Sequence, residues 1–302
     1  MMNRGKLIIL LSIILTMSSC GIVRFRNAPT YYAGSPYKKG YQQKGIVEEI
    51  IYDCSVPGPT QRRMIVYLPH DYYQNSRRYP VFYLLHGARG YETSWIRKGR
   101  LYESTDSLFA TDLAVPCIVV MPNVNQYNDD EDFENSRFKD AFESIFEVDG
   151  TVESAFVRDV VKRVDSLYRT IPDKEHRAIA GLSIGGYQSI YFGANYPDMF
   201  GYIGAFSPYM WSIGKATPYR REFYGNLHKR MKLQYGNNPP EGYYLYAGKW
   251  DIMRPSTLKL HYYMTRKGYP HEYFRYPGSH DWKNGWIEEY QDMLQRVFKA
   301  AK

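Results

Sequence analysis

The residues best suited to chemistry lie in Gly181-Leu182-Ser183-Ile184-Gly185-Gly186. The apolar run Arg177-Ala178-Ile179-Ala180 leads into them, and Tyr187 to Asn195 reads as a helix. Strand, G-x-S-x-G, helix is the arrangement of a nucleophile elbow. A sharp turn there lifts a serine hydroxyl to the carboxyl edge of a sheet and leaves the next amide free to receive an oxyanion. The pattern also arises by chance, so its meaning depends on whether the other parts of an acyl-transfer site follow in a workable order.

A serine hydroxyl is a poor nucleophile until a base takes its proton, and the base needs a third group to hold its tautomer. Around such an elbow the chain order is Ser, then Asp or Glu, then His. The histidines after Ser183 are His228, His261, His271 and His280. His228 and His261 fall within helical patterns, and His271 precedes its strand. His280 alone sits in a loop just past a strand's carboxyl end, where it can reach back to the elbow. The acid should also end a strand, which selects Asp251 after the apolar run 242–248. Asp281 adjoins the base, and neighbouring side chains in an extended loop point apart.

The oxyanion needs a second backbone donor besides Ile184, and hydrolases of this type take it from the loop after an early strand. The loop His86-Gly87-Ala88-Arg89-Gly90 follows the apolar strand 79–85. Its small residues leave the amides uncovered, so the second donor is placed at Ala88, with Gly87 as the alternative. His86 itself reads as an orienting or packing residue.

The elements that must position these groups can be read in order. Residues 45–52 and 63–69 suggest a hairpin at a sheet edge, separated by the turn Pro57-Gly58-Pro59. Further strands fall at 79–85, 115–122, 200–208, 242–248 and 272–276. Residues 151–168 form an amphipathic helical pattern with Phe156, Val160, Val161, Val164 and Leu167 on one face. Helices are also expected at 255–267 and 286–299. The basic, aromatic segment 214–241 reads as an insert over the edge that carries the site. Tyr209, Met210 and Trp211 follow a strand's carboxyl end, where ligands bind in open α/β sheets, so they either line a pocket or pack beneath a loop. Alternating strands and helices argue for a single, mostly parallel α/β domain.

Composition narrows the function classes. Hydrophobic content of 44% and charged content of 23% allow a sizeable core. The formal charge is +8, with no basic run long enough for a nucleic-acid track. The acidic run Asp129-Asp130-Glu131-Asp132 lacks the spacing of a calcium loop and reads as a solvated loop. No Cys/His spacing suggests zinc. The 31 tyrosines are core and surface residues or, in part, platforms for sugar rings and aromatic acids.

Arg4 and Lys6 followed by the apolar run Leu7 to Leu15 form a signal-peptide pattern over residues 1–19. Met17-Ser18-Ser19-Cys20 resembles a bacterial lipobox, with Cys20 as the lipidated residue. Removing the leader would leave 37 basic and 31 acidic residues, a charge of +6. Residues 20–44 read as a tether or a short arm on the domain, and residues 45–302 as the domain itself. The expected location is therefore outside the cytoplasm, on a membrane facing the periplasm or at the cell surface. Cys54 and Cys117 would be the remaining thiols, as buried free groups or as a pair.

The combination of Tyr83-Leu84-Leu85-His86-Gly87 with Gly90 and Trp95, Ala180 to Gly186, Gly248 with Asp251, and Gly278-Ser279-His280-Asp281-Trp282 resembles a known family. It is that of the esterase D-type esterases, which includes feruloyl and acetyl-xylan esterases of carbohydrate esterase family one. The likeness spans roughly residues 45 to 300 and is specific for fold and reaction, not for substrate. It implies an α/β-hydrolase fold, a mostly parallel central sheet with helices on both faces. It also implies Ser183 as nucleophile, His280 as base and then acid, Asp251 as its orienter, and the Ala88 and Ile184 N–H groups at the oxyanion. Ile184 stands where the family often has Met, with little effect because the backbone does the work. No cofactor or metal is implied. Trp95, Tyr209, Trp211, Trp250 and Trp282 are the candidates for substrate contact. The expected substrate is an acylated carbohydrate, feruloyl or acetyl groups on plant cell-wall polysaccharide such as xylan. Relatives of this type make a siderophore (enterochelin-like) or other small-ester hydrolase the alternative, ahead of a mycolyl-type acyltransferase or a non-catalytic carbohydrate-binding lipoprotein.

Overall fold

Strand Val81–Leu85 has every side chain buried, which requires apolar layers on both sides of the sheet. Val81, Tyr83 and Leu85 join one core with Ile179, Phe156, Val164 and Phe192. Phe82 and Leu84 join the other with Trp95, Ala180, Tyr290 and Leu294. This period-two division of one strand between two cores fixes a three-layer architecture.

The computed structural model describes residues 26–27, 44–57, 60–125, 150–210 and 218–299. The strands are β1 (Arg26–Asn27), β2 (Ile46–Asp53), β3 (Gln61–Leu68), β4 (Val81–Leu85), β5 (Ile118–Pro122), β6 (Arg177–Leu182), β7 (Tyr202–Phe206), β8 (Gly242–Gly248) and β9 (Glu272–Tyr276). They form one sheet in the order β1-β9-β8-β7-β6-β4-β5-β3-β2. The hairpin β2–β3 is antiparallel and β3 meets β5 antiparallel, while every other pairing is parallel. The hairpin is therefore the antiparallel edge, and β1 adds a two-residue rung beside β9.

The order reverses at β4, which has β5 on one side and β6 on the other. Chains leaving β4 and β6 at their carboxyl ends diverge there and leave a crevice, the usual ligand position in an open α/β sheet. The register Leu85↔Gly181 puts the loop beginning at His86 beside the turn that holds Ser183. The register Gly248↔Tyr276 likewise aligns the loops carrying Asp251 and His280.

Helices α1 (Ser94–Arg97), α2 (Leu101–Ala110) and α9 (Ile287–Leu294) contribute to the core of Trp95 and Tyr290. Helices α3 (Thr151–Phe156), α4 (Lys162–Leu167), α5 (Ile184–Asn195), α6 (Pro218–Tyr224), α7 (Leu227–Asn237) and α8 (Arg254–Lys267) contribute to the opposite one. A π turn at Val157–Val161 joins α3 to α4. Phe156, Val160, Val161 and Val164 face inward, but Leu167 is 43% exposed. The helix ends at Leu167, and the extended Tyr168 takes the inward position instead.

Segment 218–237 packs along α5: Tyr224 stacks on Tyr187 with ring centroids 5.0 Å apart, and Gln234 Nε2 donates to the Gly193 carbonyl at 2.9 Å. The last helix is shorter than its apolar pattern, because a π turn at Trp282–Trp286 precedes α9 and residues 295–298 form turns. Tyr67, Tyr83, Tyr246 and Tyr290 are fully buried, so much of the tyrosine content is core. Cys54 and Cys117 are both free thiols, Cys117 buried and Cys54 half-buried. Among the described residues no helix is long and apolar enough to cross a membrane.

Candidate active site

Ser183 has φ 54° and ψ −111°, a conformation that favours glycine. Three hydrogen bonds hold it there. Its N–H donates to Phe206 O at 2.8 Å, and its carbonyl accepts from Tyr187 N at 3.1 Å and Tyr209 N at 3.0 Å. The flanking backbone is equally tight, since a Cβ on Gly185 would lie 2.3 Å from the His86 carbonyl oxygen. The G-x-S-x-G spacing is thus a steric requirement of bringing the turn against the His86 loop.

The structure brings Ser183, His280 and Asp251 into one hydrogen-bonded chain. Ser183 Oγ lies 3.1 Å from His280 Nε2. His280 Nδ1 lies 3.1 Å from each carboxylate oxygen of Asp251. Asp251 is 5% exposed, and its Oδ1 also accepts from the Met253 amide at 2.6 Å. With Nδ1 protonated toward Asp251, Nε2 is left as an acceptor for the serine proton. The Trp286 ring meets the His280 imidazole edge to face, with centroids 4.9 Å apart, and limits its rotation.

The loop after β4 lies against the nucleophile: a Cβ on Gly87 would be 3.3 Å from the Ser183 Cβ. Ile184 opens α5, so its N–H has no acceptor within the helix. Among the described residues neither the Ile184 nor the Ala88 amide donates to a protein acceptor. His86 fixes this loop. It is buried, its Nε2 accepts from Val124 N at 3.0 Å, and its Nδ1 lies 2.8 Å from Gly87 O. Burial brings its pKa down to about 4, which keeps it neutral and supports the orienting role over that of a base. Asn125 Nδ2 donates to the Gly90 carbonyl at the far end of the same loop.

The substrate-contact candidates separate. Trp95 is a core residue, not a contact: it is 1% exposed and its indole N–H donates to Leu85 O at 3.1 Å. Its ring meets Trp282 edge to face at 5.0 Å, and Trp282 meets Trp286 at 5.3 Å. These three indoles form a wall behind His280, which explains why aromatic residues recur around the base. Tyr209 is half-buried with its backbone on Ser183, and Trp250 is 70% exposed on the loop that delivers Asp251. Trp211, the acidic run 129–132 and Cys20 lie outside the described residues. Among the described residues no group of three or more His, Cys, Asp and Glu could hold a metal.

Sequence reasoning missed Trp286, the Tyr209 amide and the Val124 amide as supports of the site. Only Trp286 had a visible signal, an indole one helical turn beyond Trp282.

Comparison with known proteins identifies a family. Residues 58–297 match the family described as "Putative esterase". A stretch of 168 residues is 35% identical to an endo-1,4-beta-xylanase/feruloyl esterase of Xylanibacter ruminicola, covering 54% of this chain and 22% of the relative. The matched region spans about a quarter of the length of the curated relatives. A solved ferulic acid esterase superposes with a TM-score of 0.69 at 24% identity, covering 85% of this chain and all of that one (100%). The enterobactin esterase of Shigella flexneri superposes with a TM-score of 0.61 at 19% identity, covering 87% of this chain and 63% of the other. The chain belongs to this esterase family and has the α/β-hydrolase fold.

Proposed function

We propose that hydrolysis runs through Ser183, His280 and Asp251, and that the substrates are feruloyl or acetyl esters of plant cell-wall polysaccharide. The observation that carries the mechanism is the hydrogen-bonded chain from Ser183 Oγ to His280 to the buried Asp251 carboxylate. His280 Nε2 takes the Oγ proton as Oγ attacks the ester carbonyl carbon, and Asp251 stabilises the imidazolium. The negative oxygen of the tetrahedral intermediate rests on the Ala88 and Ile184 N–H groups. Its collapse breaks the bond to the leaving alcohol, which receives the proton from Nε2 and departs, leaving an acyl-serine. A water then gives its proton to Nε2 and attacks the acyl carbon. Ser183 Oγ leaves with that proton, and the carboxylic acid is released. No step calls for a metal or cofactor.

The polysaccharide assignment is supported by the relative named as a xylanase and feruloyl esterase. It is supported also by the leader and lipobox pattern ending at Cys20, which would put the domain outside the cytoplasm, tethered by lipid. The test is a panel of methyl ferulate, feruloylated arabinoxylo-oligosaccharide, acetylated xylan and a catecholate trilactone, run on the wild type and Ser183→Ala. Turnover of the first three that vanishes in Ser183→Ala is expected. Preference for the trilactone would replace the polysaccharide assignment, and undiminished turnover in Ser183→Ala would overturn the mechanism.

A further inference from the structure

Among the described large hydrophobic residues, the two most exposed are neighbours of one acid. Trp250 is 70% and Ile252 68% exposed, while Asp251 between them is 5% exposed. The loop therefore alternates outward, inward, outward, and the orientation that buries the carboxylate behind His280 sets two apolar side chains in water.

The loop's backbone is fixed onto the strand that carries the base. Lys249 N donates to Tyr276 O at 2.6 Å and Trp250 N to Gly278 O at 2.9 Å. A Cβ on Gly248 would lie 2.3 Å from the Gly278 carbonyl oxygen, so the two loops are in full contact. Lys249 Nζ stands 4.7 Å from the Trp250 ring centroid. The indole is thus mounted on a rigid base beside a cation, a preorganised surface that loses little entropy on binding.

Proton delivery decides which part of an ester this ledge meets. The alcohol oxygen must lie within reach of His280 Nε2 when the acyl–oxygen bond breaks. The leaving group therefore passes on the His280 side of Ser183, and Trp250 is joined to the loop that carries His280 by its backbone bond to Gly278.

Size decides the occupant. One indole with one branched aliphatic side chain presents about 300 Å² at most, far below the roughly 800 Å² per partner of a stable protein interface. It matches one or two sugar rings, whose C–H faces pack on an indole while their hydroxyls reach water and the Lys249 ammonium. We propose that Trp250 and Ile252, with Lys249, form a leaving-group subsite that takes a sugar ring of the carbohydrate alcohol. This rests on the esterase reading above and adds which side of the nucleophile the carbohydrate occupies.

The test uses two substrates with the same acyl group, feruloylated arabinoxylo-oligosaccharide and methyl ferulate, on the wild type and Trp250→Ala. The ratio of their kcat/KM values is expected to fall about tenfold, through KM of the oligosaccharide, and Trp250→Phe should restore most of it. An unchanged ratio overturns the subsite, and so does an equal loss on both esters, which would place Trp250 at the acyl group. A loss seen only with anionic phospholipid vesicles present would make the ledge a membrane contact and equally overturn it. A readout independent of turnover separates this proposal from the esterase reading. Ester-free arabinoxylo-oligosaccharide titrated into Ser183→Ala should bind, and a second change at Trp250→Ala should raise Kd tenfold or more. Failure of the wild type on every feruloyl ester, with this binding intact, would overturn the substrate reading alone.

Discussion

His280 Nδ1 stands 3.1 Å from both carboxylate oxygens of Asp251, which is closed off from solvent on the sheet side. The Met253 amide occupies Oδ1 as well, so the acid is turned toward the imidazole by its own loop. An acid held in this way fixes which ring nitrogen carries the proton.

Asp251→Asn keeps the shape and removes that control, since the amide can present its NH₂ group to Nδ1 and favour the unproductive tautomer. A loss in kcat of about 10³- to 10⁴-fold is expected, with KM little changed and the thermal melt within a few degrees of wild type. Activity within tenfold of wild type would remove Asp251 from the mechanism.

Ser183 holds a backbone conformation that costs about 1–3 kcal/mol for a residue with a Cβ. Its φ of 54° and ψ of −111° are imposed by the bonds to Phe206, Tyr187 and Tyr209. Ser183→Gly should therefore be inactive yet more stable in urea than Ser183→Ala, by about 1 kcal/mol or more. Equal stability of the two variants would show that the elbow stores no strain.

His86 ties folding stability to pH. Its folded pKa, brought down to about 4 by burial, lies below the unfolded value of about 6.5. Between these values the unfolded chain binds more protons, so stability falls as pH drops from about 6.5 towards 4. From pH 7 to pH 4.5 the wild type should lose about 2–3 kcal/mol more than His86→Asn, measured by urea unfolding. Parallel curves for the two proteins would show that His86 is not buried in its neutral form.

Glu289 has the opposite sign. It is fully buried in α9, and neither carboxylate oxygen has a hydrogen-bond partner among the described residues. Burial first, and the Asp251 charge next, push its pKa well above the carboxylate range. The unfolded chain releases this proton at ordinary pH, so Glu289 lowers stability as pH rises above about 4.3. Glu289→Met should stabilise the protein by about 1–3 kcal/mol at pH 8, with a smaller gain at pH 5. A variant less stable than wild type at pH 8 would mean that Glu289 has a partner.

Much of the architecture was legible because the relevant signals are local. The fully apolar strand at Val81–Leu85 and the strand–turn–helix around Ser183 each announce one element by period and glycine placement. The pairing of His280 with Asp251 was legible because both had to end strands in a fixed chain order, and the registers of β8 and β9 align those ends. What stayed hidden depends on packing between distant segments. Trp95 lies beside the loop 86–90 in sequence, but its indole fills the core under it, and no local pattern separates the two uses. The π turn at Val157–Val161 likewise leaves no sequence mark, so the helix was read as continuous with Leu167 on its inner face.

The central claim is that Ser183, activated by His280, is the nucleophile. It is tested most directly by reacting the protein with a fluorophosphonate probe and locating the adduct by peptide mass spectrometry. One phosphonyl group on Ser183 is expected, none in Ser183→Ala, and far slower labelling in His280→Ala. An adduct on another residue, or equally fast labelling of wild type and His280→Ala, would contradict it.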